Sequence, residues 1–393
     1  MGNNLIRRRE LLKDNTSVIP PTPSGDTWYG VDWFYSNSSP QLTRIGSAAN
    51  FSDPQPATSV SGQGSSPFDS IMPWAGMKRY NIINGAVSYS EDDAGFSQTD
   101  YDTVVYIPEF YFRAEKDTTD QVWSWAISPT AQEGFAKHPG SGRYVGRYHT
   151  SGDSSEVYSK SGVVPLVNTS QTNFRTYSHN KGTNWYMLDL ASWSAIQMLY
   201  LVEYATFDSQ TALGTGYAGV TSAVAAGGAT DGAAYHTMKI SGGHNQYRWI
   251  EDPYSNCCDW VDGFLSTMLS TTGQTYAERY YVGVNNSSFN GTAQALDFST
   301  DAANSIKSGL IIDFVYEENL KWAFLPLSGV VFSQANYDTF CCDYNGACTN
   351  GTNPVAVGST YLNTQGNGLF RFYCSSNAAA ALASYGSRLI FIP

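Results

Sequence analysis

The chain has 393 residues, and 42% of them are hydrophobic, enough for a substantial core, which excludes global disorder. Only 14% are charged, with Lys plus Arg at 22 against Asp plus Glu at 34 for a net charge of −12, a balance that repels phosphate backbones and argues against nucleic acid as a partner. No stretch approaches the ~20 consecutive apolar residues of a membrane span, so membrane insertion is not expected.

The opening MGNNLIRRRELL (Met1–Leu12) has three arginines but no apolar segment after them, unlike a secretory signal. Ile6 stands where a myristoylation motif needs Ser or Thr. The expectation is a chain made in a cytoplasm and not exported by the usual route. Pro20-Pro21-Thr22-Pro23 favours an extended spacer, so residues 1–23 read as a leader, either a disordered tail or an anchor into a larger assembly.

From Thr27 short β-like runs take over: WYGVDWFY, then QLTRIGS, a Ser/Gly/Pro/Gln-rich loop at about 52–66, and MPWAGMKRYNIING. Residues 24–100 are read as a small β-rich N-terminal region. The run Thr103–Glu115 alternates β-branched and aromatic residues, and with Val122–Ser128 across a turn at 116–120 it predicts a hairpin. A helix is predicted over about 170–181, capped by Thr169 or Ser170 and stopped at Gly182. A second is predicted over about 190–205, where Leu190, Trp193, Ile196, Gln197, Tyr200, Leu201 and Tyr204 recur at helical spacing as a core-facing stripe, with Asp189 or Ser192 at its start. Residues 214–234 are Gly/Ala/Thr-rich without periodicity. From Val330 to Pro393 few regular runs are expected, and a structureless stretch of that length implies a functional one.

Catalytic patterns are sparse. The histidines at 138, 149, 179, 236 and 244 form no HExxH pair, and GxSxG, P-loop and strand-following GxGxxG motifs are absent. Glu251, Asp252, Asp259 and Asp262 offer a glycosidase-like carboxylate pair, a cation site around Asp259-Trp260-Val261-Asp262, or a hydrogen-bonded turn. No catalytic residue and no cofactor is assigned, and a structural cation is left open. The six cysteines lack a zinc-ligand spacing and are expected mostly as free thiols, although Cys342 and Cys348 could close a short loop.

The 58 residues Asn336–Pro393 contain no Trp, Met, Lys or Glu and a single Gln, Gln365. Their four charges, Asp338, Asp343, Arg371 and Arg388, cancel. Tyr, Phe, Asn, Ser, Gly and Thr dominate, a vocabulary of rigid aromatic contacts and adaptable hydrogen-bonding groups typical of binding loops. The candidate ligand-binding residues are Tyr337, Phe340, Asp343, Tyr344, Tyr361, Asn363, Phe370, Phe372, Tyr373, Ser375 and Ser376, expected together on one exposed surface.

Three segments, WSAIQMLYLVEYATFDSQ (193–210), YRWIEDPYSNCCDWVDGF (247–264) and VGSTYLNTQGNGLFRFY with GSRL (357–389), together resemble the variable proteins of diversity-generating retroelements, which include phage tropism determinants. The opening YGVDWFYSNSSPQLTRIGS is similar to the N-terminal segment of gut-phage proteins of this kind. The resemblance implies an α+β chain with much irregular structure, its residues 101–393 forming a C-type lectin fold of the formylglycine-generating-enzyme type, with a variable region at 336–388. In that family a reverse transcriptase randomises adenines of Asn codons, and the resulting NNY codons cannot encode Trp, Gln, Glu, Lys or Met. Gln365 and the Cys257-Cys258 pair depart from the pattern. So does Leu389 after Gly386-Ser387-Arg388, where the enzymes of this fold carry a catalytic cysteine. What the resemblance implies is a phage or prophage tail protein that attaches to a host surface protein or glycan. It would contact other tail proteins through its N-terminal region and form a homo-oligomer such as a trimer. A bacterial surface adhesin of the same fold is the alternative, and a formylglycine-generating or carbohydrate-active enzyme a more distant one.

Overall fold

Strand Tyr29–Phe34 places Tyr29, Val31 and Trp33 on one face, as the period of two requires, and runs antiparallel to Val122–Ser128 with Trp33 opposite Trp123. The computed structural model describes residues 27–393 apart from 273–274, 307 and 332–335; the leader at 1–23 lies outside the described residues. Tyr29–Phe34 belongs to a five-stranded antiparallel sheet with Thr43–Gly46, Val122–Ser128, Tyr111–Asp117 and Ala136–Lys137. The Trp123 and Trp125 rings stack at 5.1 Å between centroids on its inner face.

The predicted run Thr103–Glu115 divides. Asp102–Ile107 and Tyr111–Asp117 are separate strands broken at Pro108, which has no N–H to give to a ladder. Only the second forms the hairpin with Val122–Ser128. The first enters a six-stranded sheet in the order Trp185–Met187, Leu389–Phe391, Arg143–Gly146, Asp102–Ile107, Arg79–Ile83, Ala86–Ser90. A third sheet is built on Cys258–Thr272 and joins Thr352–Val357, Phe372–Tyr373, Tyr344–Gly346, Ser308–Phe314 and Pro326–Val330 on one side of it. Beyond Val330 the described residues hold few regular runs, as expected: five short strands of two to six residues, Tyr344–Gly346, Thr352–Val357, Phe372–Tyr373, Tyr385–Gly386 and Leu389–Phe391, held by ladder partners distant in sequence.

Helix α1, Gln171–Asn180, starts where the Ser170 hydroxyl accepts the Asn173 N–H at 3.2 Å. Helix α2, Leu190–Tyr204, starts where the Asp189 carboxylate accepts the Ser192 N–H at 2.7 Å and ends at Ala205 in a left-handed conformation. All fifteen residues of α2 are buried, not just the predicted stripe, because sheets and loops cover every side of it. Its Glu203 is neutralised by Arg248 at 2.6 Å and accepts the Tyr247 hydroxyl at 2.9 Å. A short helix α3, Ser209–Leu213, follows.

Two expectations change. Twenty-four strands against three α-helices among the described residues make the fold β-rich with few helices, not an even α+β mix. The boundary at residue 100 does not divide the core. Strands from both sides of it share two sheets, and one hydrophobic cluster runs from Tyr29 through α2 to Ile390. Among the described residues no helix is long and apolar enough to cross a membrane.

Candidate functional site

The parallel pairing of Tyr344–Gly346 with Phe372–Tyr373 sets two tyrosines beside each other, their ring centroids 6.1 Å apart. Gly346 is what allows this, because a Cβ there would lie 2.3 Å from the Tyr373 ring. The Tyr337 ring in turn lies against Gly366, whose φ of +67° and 2.6 Å approach leave no room for a side chain. Between these rings opens a cleft of about 400 Å³, lined by Tyr337, Tyr344, Thr360, Leu362, Asn363, Gln365, Asn367, Arg371, Tyr373, Ser384 and Tyr385. Arg371 is buried at its base, with its guanidinium 5.1 Å from the Tyr373 ring centroid and 5.7 Å from that of Tyr344. Its Nη1 donates to the Gly358 carbonyl at 3.2 Å. Leu362 stands at the rim, 60% exposed.

Of the candidate residues, Tyr337, Tyr344, Asn363 and Tyr373 line the cleft. Four others are corrected from exposed to buried: Asp343, Tyr361, Phe370 and Phe372. Phe370 packs against Phe207 at 4.8 Å and Phe324 at 5.3 Å, and Phe372 against Phe264 at 5.0 Å, so both are core residues beneath the cleft. Tyr361 donates its N–H to the Asn256 carbonyl at 3.1 Å and accepts the Val220 N–H at 3.0 Å. Asp343 accepts the N–H groups of Gly368 at 2.5 Å and Phe370 at 2.7 Å, fastening the loop that carries Arg371. Burial pushes its carboxyl up to about 7, outweighing the two N–H groups that favour the anion. Phe340, Ser375 and Ser376 are half-buried and lie outside the lining; Ser375 donates to the Ala347 carbonyl at 2.9 Å. Sequence reasoning missed Thr360, Leu362, Gln365, Asn367, Arg371, Ser384 and Tyr385. Each lies within the same biased segment, and that was the available signal.

The lining offers ring faces, amide and hydroxyl hydrogen-bonding groups, and one shielded cation, an arrangement suited to holding a planar or polyhydroxylated ligand. A second cleft, of about 460 Å³, lies among residues 82–85, 154–157 and the end of α1. Its Lys181 is already held by Asp102 at 2.8 Å and the Val157 carbonyl at 2.6 Å.

The four carboxylates weighed for catalysis divide among three partners, with Glu251 and Asp252 sharing His244. Asp262 accepts both Nε and Nη2 of Arg175, at 2.6 and 2.8 Å, pinning α1 to strand Cys258–Thr272. Asp259 accepts Arg388 Nε at 2.9 Å, and burial pushes its carboxyl up to about 6 against the pull of that guanidinium. Asp259 and Asp262 thus serve different arginines, which argues against a shared cation between them. Arg388, fully buried, also donates to the carbonyls of Arg147 at 3.0 Å and Glu251 at 2.7 Å, so Gly386-Ser387-Arg388 is a structural joint. Glu251 and Asp252 face His244, and ligand atoms of these three lie within 4.8 Å of one another. All six cysteines are buried free thiols.

No family model matches the sequence, and no curated protein matches it. Among solved structures, one named Major Tropism Determinant U1 Variant is similar at a TM-score of 0.27 and 11% identity, over 94% of this chain and 73% of that one. The functional reading rests on the residues of this chain.

Proposed function

We propose that this chain is a receptor-binding protein of a phage or prophage tail, with its cleft taking up a host surface protein or glycan and its scaffold a C-type lectin fold diversified by a retroelement. One observation carries the reading: all eleven residues lining the cleft come from the 58-residue segment whose composition lacks Trp, Met, Lys and Glu. The buried set of Asp343, Tyr361, Phe370 and Phe372 fixes the backbone, and the half-buried cleft set of Tyr337, Tyr344, Asn363 and Tyr373 exchanges without disturbing it. The mechanism is binding, not chemistry. Tyr337, Tyr344 and Tyr373 supply contact area, Asn363 sets hydrogen-bond fit, and several copies on a tail raise avidity. The N-terminal region joins other tail proteins, and the working form is a homo-oligomer.

The test replaces the half-buried cleft set while sparing the buried one: Tyr337→Ser, Tyr344→Asp, Asn363→Tyr and Tyr373→Ser in one chain. The labelled protein is then applied to a panel of bacterial strains. The melting temperature should stay within a few degrees while the set of strains bound changes. An unchanged strain profile from a folded variant overturns the reading.

A further inference from the structure

His244, Glu251 and Asp252 lie outside the cleft lining and are all buried. His244 Nδ1 stands 2.7 Å from Asp252 Oδ2 and 3.6 Å from Glu251 Oε1. Two ligands held about 2.1 Å from a tetrahedral ion are about 3.4 Å apart, a value these separations bracket. Asp252 is 1% exposed, yet its Oδ1 has no hydrogen-bond partner, a costly omission for a desolvated carboxylate oxygen unless something else meets it.

The surrounding groups orient the three side chains as the outer shell of a metal site does. His244 Nε2 donates to the Ala225 carbonyl at 2.9 Å, which aims Nδ1 at the two carboxylates; Nδ1 donates to Asp252 Oδ2 at 2.7 Å in the metal-free chain, and an ion would take the place of that proton. Asp252 Oδ2 accepts Asn256 Nδ2 at 3.0 Å. Glu251 accepts the Gly227 N–H at 2.8 Å through Oε1 and the Thr230 hydroxyl through Oε2. Once the Nδ1 proton is displaced, two carboxylates stand beside a neutral imidazole, a negative charge that a divalent cation would neutralise.

We propose that His244, Glu251 and Asp252 form a structural site for a divalent first-row transition ion, of which zinc fits the mixed nitrogen and oxygen donors best. The ion would bind through His244 Nδ1 and one oxygen from each carboxylate. It would tie His244 to Glu251 and Asp252 within the segment 244–256, to which hydrogen bonds at Ala225, Gly227 and Thr230 attach the loop at 225–230. That segment supports the cleft from below, because the Asn256 carbonyl accepts the Tyr361 N–H at 3.1 Å. A buried site of this kind fills during folding, so metal and stability are linked.

The full chain is unfolded in guanidinium with a chelator, then refolded with and without zinc chloride. Metal content and melting temperature are measured on both preparations. One equivalent of zinc should be retained after dialysis, with a midpoint about 3 °C above that of the metal-free protein at a hundredfold excess over Kd. His244→Gln should lose that equivalent. Because six thiols could capture zinc elsewhere, the wild-type chain is also refolded with cobalt(II). Nitrogen and oxygen ligation gives visible d–d bands without the intense near-ultraviolet thiolate bands. The proposal is overturned if the folded wild-type chain retains less than about a tenth of an equivalent with no shift in midpoint. It is equally overturned by thiolate bands in the cobalt spectrum. In either case His244 would be an imidazolium paired with the two acids.

Discussion

Replacing Asp343 by Asn tests the floor of the cleft through its pH dependence. The carboxyl stands at about 7 in the folded chain against 3.8 in its ordinary state, because burial outweighs the N–H groups of Gly368 and Phe370. Between these values the folded protein holds a proton that the unfolded chain has released. Stability therefore falls as pH rises from about 4 to about 7, by about 1.4 kcal/mol per pH unit, or about 4 kcal/mol across the window. An amide at position 343 holds no titrating proton, so the variant escapes this loss. It does leave one of the two N–H groups facing an amide NH2, a pH-independent cost of about 1–3 kcal/mol. The variant should thus be less stable than the wild type at pH 4.5 and match or exceed it at pH 8. The assay is guanidinium denaturation of both proteins at half-unit steps from pH 4.5 to 8, read as the difference between them. Asp32, Asp259 and His138 titrate in both proteins and drop out of that difference. Two parallel stability curves would refute the reasoning, because they would place the folded carboxyl near its ordinary value.

Two further perturbations address the scaffold. Trp193→Ala removes a fully buried indole from α2 and should cost about 3–5 kcal/mol, seen as a lower melting temperature; an unchanged melt contradicts the packing of that helix. Asp262→Asn leaves the buried Arg175 without its carboxylate and should cost about 3–5 kcal/mol, while the strain binding expected under the proposed function survives in whatever fraction folds; a folded variant that loses the binding of the wild type would take Asp262 out of a purely structural role.

Local features were readable from the sequence because they depend on neighbours in the chain. The period of α2, the Ser170 and Asp189 caps and the strand at Tyr29–Phe34 all follow from spacing and side-chain chemistry within a few residues. The biased vocabulary after Asn336 likewise pointed to the segment that lines the cleft before any fold was known. Its members could not be sorted from composition. Phe372 and Tyr373 are adjacent aromatics in one two-residue strand, and successive side chains of a strand point to opposite faces. Which of them enters the core was decided by pairing with Tyr344–Gly346 and Thr352–Val357. The same long-range pairing divided Thr103–Glu115 between two sheets and joined residues on both sides of position 100 in one core. It also divided the carboxylates of the segment 251–262 among three partners, with His244 facing Glu251 and Asp252, Arg388 holding Asp259 and Arg175 holding Asp262. Spacing along the chain fixes periodicity and capping, whereas a buried charge or ring is placed by groups distant in sequence, and those meet only when the sheets close.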